Sequence, residues 1–431
     1  LADEARERGG LATADLEELL RSPLDDPPEP LPRWVRYAAV SAGVILVVIA
    51  GWIIFGGDNE TATVASEDPG ATETAAPEAP GAGTPTDGSA PSPATTAAPV
   101  TTTLAVTPGF PDVGFASVSL DPGRGVLAFG GTTPTGTPSD ATWLWDAGAA
   151  QWLELDLLDR PPERVGAPAA SLESGTLMFG GGATFQLISA CQIGFCPPIF
   201  YGDTLLVDLD EGSWRLLQTP NAPSERNGAA MVAVPDRDIA VLYGGVGPPE
   251  GGERTGVLHD DTWIYDPAAE DWRQVDTDVA PSARASHAMV YDPATDMVYM
   301  WGGRAESTTE PPEDLWAFDP ATETWSEVDV QGESPTARWT HRWILEPESE
   351  SLIMSGGQFF EDGSQAHDPA MWSFDPSTSS WAMTGPELPD DVSLIAADGT
   401  GGVIAVTHDG TVRWDAVAGA DSWQLVAEPP E

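Results

Sequence analysis

The sequence predicts an all-β protein: a six-bladed β-propeller, preceded by a single transmembrane helix and a disordered linker. Three observations predict it. An Asp is followed six residues later by a Trp at Asp146/Trp152, Asp208/Trp214, Asp266/Trp272, Asp319/Trp325 and Asp375/Trp381. Upstream of each pair an apolar run closes on two glycines: "VLAFGG", "TLMFGG", "AVLYGG", "VYMWGG" and "LIMSGG". The unit recurs every 42 to 62 residues and holds four short strand patterns, which is the period of a propeller blade.

In chain order, residues 1–36 are a polar, acidic tail. Its one helical pattern, "TADLEELLRS", sets Leu16, Leu19 and Leu20 on one face. Tyr37–Phe55 then runs 19 residues without a charge, about 28 Å as a helix and close to the thickness of a bilayer core. Arg33 and Arg36 precede it and Asp58 and Glu60 follow it, so the positive-inside rule leaves the N-terminus cytoplasmic and sends the rest out of the cytoplasm. The competing reading is a cleaved signal peptide, with "TVA" at residues 63–65 as its cleavage site. The long lead and the length of the apolar run favour an uncleaved, single-pass anchor in the cell membrane. Residues 56–109 are Thr, Pro, Ala, Gly and acid with almost no large apolar side chains. Such a segment cannot bury enough surface to offset its ordering entropy, and it reads as a disordered stalk. Residues 110–431 carry the repeats.

The chain has 68 Asp and Glu against 18 basic residues, all Arg, for a net charge of −50. That excludes a nucleic-acid partner, which needs a basic footprint. The two cysteines, Cys191 and Cys196, are too few for a disulfide scaffold.

Each repeated residue type has a physical reason. The glycines let the chain leave the second strand where a Cβ would obstruct it. "DP" opens a tight turn, with Asp bonding the turn backbone and Pro fixing φ. The Trp offers a large ring from the outer strand, suited to filling space against the adjoining blade. No blade can cover both faces of its own sheet, so the copies are expected to stack in a ring. A sixth, degenerate copy, "DVSLIAADGTGGVIAVTHDGTVRWDAVAGADSW", sets Asp415 and Trp423 two residues further apart and lacks the glycine pair at its expected place. Four units also open on an arginine in "PPER", "PSER", "PSAR" or "PTAR", ending at Arg164, Arg226, Arg284 and Arg338.

With these motifs in hand, residues 110–431 resemble the kelch-repeat family, most clearly in "PSARASHAMVYDPATDMVYMWGGRAESTTEPPEDLWAFDPATETW". The resemblance implies a six-bladed kelch-type propeller and leaves the chemistry open. Galactose oxidase carries such a propeller, but its copper site needs a Cys–Tyr cross-link, two His and another Tyr. Here both Cys lie in one loop and no His pair is placed to join them, so no cofactor is expected. His287 and His341 hold repeat positions, His259 and His367 are lone loop residues, and His408 sits in the degenerate copy. None has zinc spacing.

The long connections, residues 132–141, 183–202, 246–260, 304–313 and 358–369, all follow second strands and should emerge on one face with the inter-blade links. Variable loops on a rigid scaffold are where binding residues sit. The candidates there are Phe200 and Tyr201 in "ATFQLISACQIGFCPPIFYGD", and Phe359 and Phe360 in "QFFEDG". Their aromatic rings either meet a partner or cap a neighbouring blade. In an exported domain Cys191 and Cys196 would form a local disulfide within the first of these loops. Arg164, Arg226, Arg284 and Arg338 either grip an anionic ligand around the channel mouth or, as the repeat favours, pair with an Asp opening the third strand, such as Asp203, Asp261 or Asp314. The expectation is a membrane-anchored, extracytoplasmic binding module for protein or carbohydrate. An enzyme, or a sensor relaying occupancy through the "LEELL" tail, stands behind it.

Overall fold

The computed structural model describes residues 105–429 apart from residue 110 and residues 112–115, 122–123, 134–136, 183–198, 250–255, 306–310 and 362–363. The tail, Tyr37–Phe55, most of the stalk, Cys191 and Cys196 therefore lie outside the described residues. Among the described residues no helix is long and apolar enough to cross a membrane.

Six antiparallel sheets follow one another along the chain. Their inner strands are Ser117–Asp121, Ala169–Leu172, Ala230–Val234, Ala288–Asp292, Arg342–Glu346 and Leu394–Ala397. In every blade four strands pair in sequence order from inner to outer, apart from small hairpins that lie outside the blade sheets. Successive inner strands contact one another around the ring, and the last meets the first. The degenerate copy is thus a full sixth blade. All four of its strands come from residues 394–427, so no strand is shared across the seam with blade one.

Blade one has a fifth strand. Val106–Gly109 pairs antiparallel with the outer strand Gln151–Leu155, so the sheet begins four residues before the boundary expected at residue 110.

The outer-strand Trp residues link neighbours. Trp214 packs on Phe129 of the preceding blade at 4.8 Å, Trp272 on Phe179 at 5.2 Å and Trp325 on Tyr243 at 5.2 Å. Each indole N–H also donates to a Thr hydroxyl opening the third strand of the preceding blade: Trp214 to Thr142, Trp272 to Thr204 and Trp325 to Thr262. Trp152 closes the seam in the same way, donating to Thr411 of blade six at 2.9 Å. In blade four the Thr position is Leu315, and the buried Trp381 indole N–H that would meet it has no partner. The buried core is accordingly a set of inter-blade layers; the layer at the seam joins Ala116, Val126, Trp145 and Trp152 to Leu394, Ile404 and Val406. Each of these side chains is removed from water only because the ring closes.

The Asp of each turn accepts backbone N–H groups as its sequence implies: Asp266 from Ala268 at 2.9 Å, Asp319 from Ala321 at 2.8 Å and Asp375 from Ser377 at 2.9 Å. These turns define one face of the disc. Because strands alternate in direction, the second-to-third and inter-blade connections lie on the other, the loop face.

Candidate functional site

The loop face rests on the repeated Arg, whose carbonyl and side chain do separate jobs. Its carbonyl accepts the N–H of the second glycine of the preceding blade: Arg164 from Gly131, Arg226 from Gly181, Arg284 from Gly245 and Arg338 from Gly303, each at 2.9 Å. The first glycine is forced by the same contact. At Gly244, φ is +65°, and a Cβ would lie 2.6 Å from the Arg284 carbonyl oxygen, closer than any real Cβ comes to an oxygen. The glycine pair and the Arg of the next repeat are therefore one device.

The guanidinium turns inward. Arg164, Arg226, Arg284 and Arg338 are buried, at 0–1% exposure. Arg226 spends all five donors: on the Ser224 carbonyl and hydroxyl, on the Gly244 carbonyl, and on both oxygens of Asp261 at 2.6 and 2.9 Å. Arg284 repeats this with Ser282, Gly302 and Asp314. Arg164 binds Asp203 through two bonds and Arg338 binds Asp368 through one. Burial works to raise the pKa of Asp261 and Asp314. The paired guanidinium and an indole N–H, from Trp263 and Trp316 respectively, outweigh it and hold both carboxyls below the ordinary range. Each of the four joins a glycine carbonyl at the end of the second strand to an Asp before or at the start of the third, and so clamps the two strands together.

A second belt runs around the axis. The residue two after each Arg takes positive φ (Gly166, Gly228, Ser286 and Thr340), and Gly228, Ser286 and Thr340 each donate a backbone N–H to the carbonyl of the one before. Blade six has neither the Arg nor the glycine pair, and its second and third strands are joined by a tight turn at His408–Asp409. Its loop-face wall is correspondingly low.

Of the aromatic candidates, Phe200 and Tyr201 in blade two and Phe359 and Phe360 in blade five are each partly exposed. They lie on one face but three blades apart, and each set packs on its own Arg segment. The Arg164 guanidinium sits 4.3 Å above the Tyr201 ring, and that of Arg338 lies 5.9 Å from Phe359. Phe360 packs against Trp339 at 5.2 Å, and Arg304 of blade four covers Trp339 at 5.0 Å. Phe359 and Phe360 ride on a hairpin, Gln358–Glu361 with Ser364–His367.

His287 and His341 are buried against Tyr243 and Trp301 with no hydrogen-bond partner at either ring nitrogen. Burial, reinforced by Arg284 and His341, pushes His287 well down. Burial with Arg338 and Arg342 pushes His341 down to about 3. Both are neutral packing residues. Among the described residues no group of three or more His, Cys, Asp or Glu is arranged to hold a metal ion.

The comparisons with known proteins agree with this geometry. The KLHDC2/KLHL20/DRC7 Kelch-repeats domain model matches residues 53–293 and 251–392. The chain belongs to the kelch-repeat family. Among its relatives, an F-box/kelch-repeat protein of Arabidopsis thaliana is 25% identical over 284 residues, covering 58% of this chain and 55% of that protein. Kelch domain-containing protein 3 of Homo sapiens is 25% identical over 226 residues, 49% of this chain and 53% of that protein. The Rab9 effector protein with kelch motifs of Xenopus laevis is 27% identical over 176 residues, 39% of this chain and 45% of that protein. The chain spans about half the length of these relatives.

Proposed function

We infer that this kelch-repeat chain is a protein-interaction module that engages its partner with the loop face. One observation carries the reading: five of the six blades send long, dissimilar connections to a single face, above a frame in which the repeated arginines are turned inward and paired with Asp. With these arginines spent on the frame, the loops above it offer shape and partly exposed rings. That a relative is named an effector with kelch motifs is in keeping with this.

In the finer form of the proposal, Tyr37–Phe55 anchors the chain in a membrane and the propeller stands outside the cytoplasm. Protease protection in intact cells tests that arrangement, and digestion of the propeller only after permeabilisation would reverse it. For the loop face, cross-linking of the full chain in its native cells, compared between the wild type and a Tyr201→Ala/Phe359→Ala variant of unchanged thermal midpoint, is decisive. The reading expects a discrete cross-linked partner that the variant loses. A partner retained in full by the variant places the contact elsewhere, and saturable binding on a glycan array with no protein partner makes the ligand a carbohydrate.

A further inference from the structure

Twelve arginines are described, and ten of them form an ion pair with a carboxylate: Arg124, Arg160, Arg164, Arg215, Arg226, Arg237, Arg273, Arg284, Arg338 and Arg413. The two that form none among the described residues are Arg304 and Arg342. Both belong to segments that meet at the loop face: Arg304 lies over Trp339, and Arg342 follows three residues after Trp339 in the chain. Arg304 follows the glycine pair of blade four and lies over Trp339. Arg342 is the first residue of the blade five inner strand and uses one donor, reaching across to the Ala116 carbonyl of blade one at 2.9 Å. That bond carries it past the front of blade six, where the loop-face wall is low. Both side chains are partly buried.

In a chain with 68 acidic residues, a guanidinium ordinarily finds a carboxylate. A half-buried one that meets no carboxylate has lost hydration and gained little charge compensation in return. Burial lowers the proton affinity of both, yet an arginine keeps its charge at any working pH. An incoming carboxylate restores what burial took away, through short charge-assisted bonds.

We propose that the loop face from Trp339 across the channel mouth toward blade one, with Arg304 and Arg342 as its charged contacts and Phe360 as its apolar one, docks an extended acidic segment of a protein partner. This rests on the reading of the loop face as an interaction surface. A polyphosphate backbone is not the occupant: a long, uniformly charged polymer is repelled by the net charge of −50 over its whole length, while a short acidic segment meets only the local field.

The test is selection of a random displayed dodecapeptide library on the full chain, in parallel with Arg304→Gln/Arg342→Gln and Arg304→Lys/Arg342→Lys variants. The wild type enriches peptides rich in Asp and Glu. The double Gln variant binds those peptides at least about tenfold more weakly for each guanidinium removed, the double Lys variant falls between, and Arg124→Gln, on the turn face, leaves binding unchanged. Unaltered circular dichroism and thermal midpoint separate lost contact from lost fold. Enrichment of neutral or basic peptides that Phe359→Ala abolishes would leave the interaction face standing and overturn the charge assignment. Acidic peptides that bind the double Gln variant as well as the wild type overturn it too. No enrichment on any form overturns both.

Discussion

Replacing Arg226 by Met separates a structural clamp from a ligand grip. Met keeps much of the stem and removes the charge, leaving Asp261 with the Trp263 indole N–H as its remaining described side-chain donor. The Gly244 and Ser224 carbonyls lose a donor as well. Removing one partner of a buried, fully bonded ion pair costs about 3–5 kcal/mol, a large part of the ~5–15 kcal/mol that holds an ordinary domain together. The assay is equilibrium unfolding in urea followed by tryptophan fluorescence at neutral pH, with Asp261→Asn and the double variant completing a cycle. The double variant should be less destabilised than the sum of the two singles, because each single strands the other's partner. A loss below about 1 kcal/mol for Arg226→Met, within the range of an exposed ion pair, would refute the clamp and return these arginines to the list of ligand contacts.

Three further outcomes follow from the same geometry. Thr262→Val leaves the buried Trp325 indole N–H without its acceptor and should cost about 1–3 kcal/mol; Trp381→Phe, which removes an N–H already unpaired, should be better tolerated than Trp325→Phe in the same unfolding assay. Acid should destabilise the propeller before its carboxylates titrate. His341 is pushed down to about 3 and His287 is also lowered, so the unfolded chain takes up these protons first as pH falls below about 6.5. Stability present at neutral pH is then lost by up to about 1.4 kcal/mol per pH unit per histidine down to the folded pKa, and urea midpoints at pH 7, 5 and 4 should show a shallower fall in His341→Phe. Thr411→Val at the seam should raise amide exchange in the strands of blade six more than in those of blade three, which hydrogen/deuterium exchange with mass spectrometry reads directly.

The blades were legible in the sequence because their signals are local: an Asp that caps its own turn, glycines forced by one carbonyl, a Trp at a fixed distance. The Arg–Asp pairs at Asp203, Asp261 and Asp314 were legible for the same reason. Asp368 was not, because two residues more separate it from Trp372 than separate Asp314 from Trp316, although it keeps the 30-residue spacing from its Arg. The Thr acceptors at Thr142, Thr204, Thr262 and Thr411 recur visibly, but a Thr opening a strand looks like ordinary strand propensity until the neighbouring blade is in place. The Arg342–Ala116 bond joins residues 226 apart and has no local signature. The Val106–Gly109 strand was hidden by its Pro and Gly, which read as linker and are tolerated at a sheet edge.

Because, among the described residues, neither end of the disc lends a strand to the other, the propeller is topologically a straight row of six sheets whose first and last members touch. Its circle is closed by side-chain packing and a few hydrogen bonds, Trp152 to Thr411 among them, and not by a shared strand. Prising it open at the seam then separates two blade faces instead of unthreading a sheet, and all six blades stay joined through the other five interfaces as an arc.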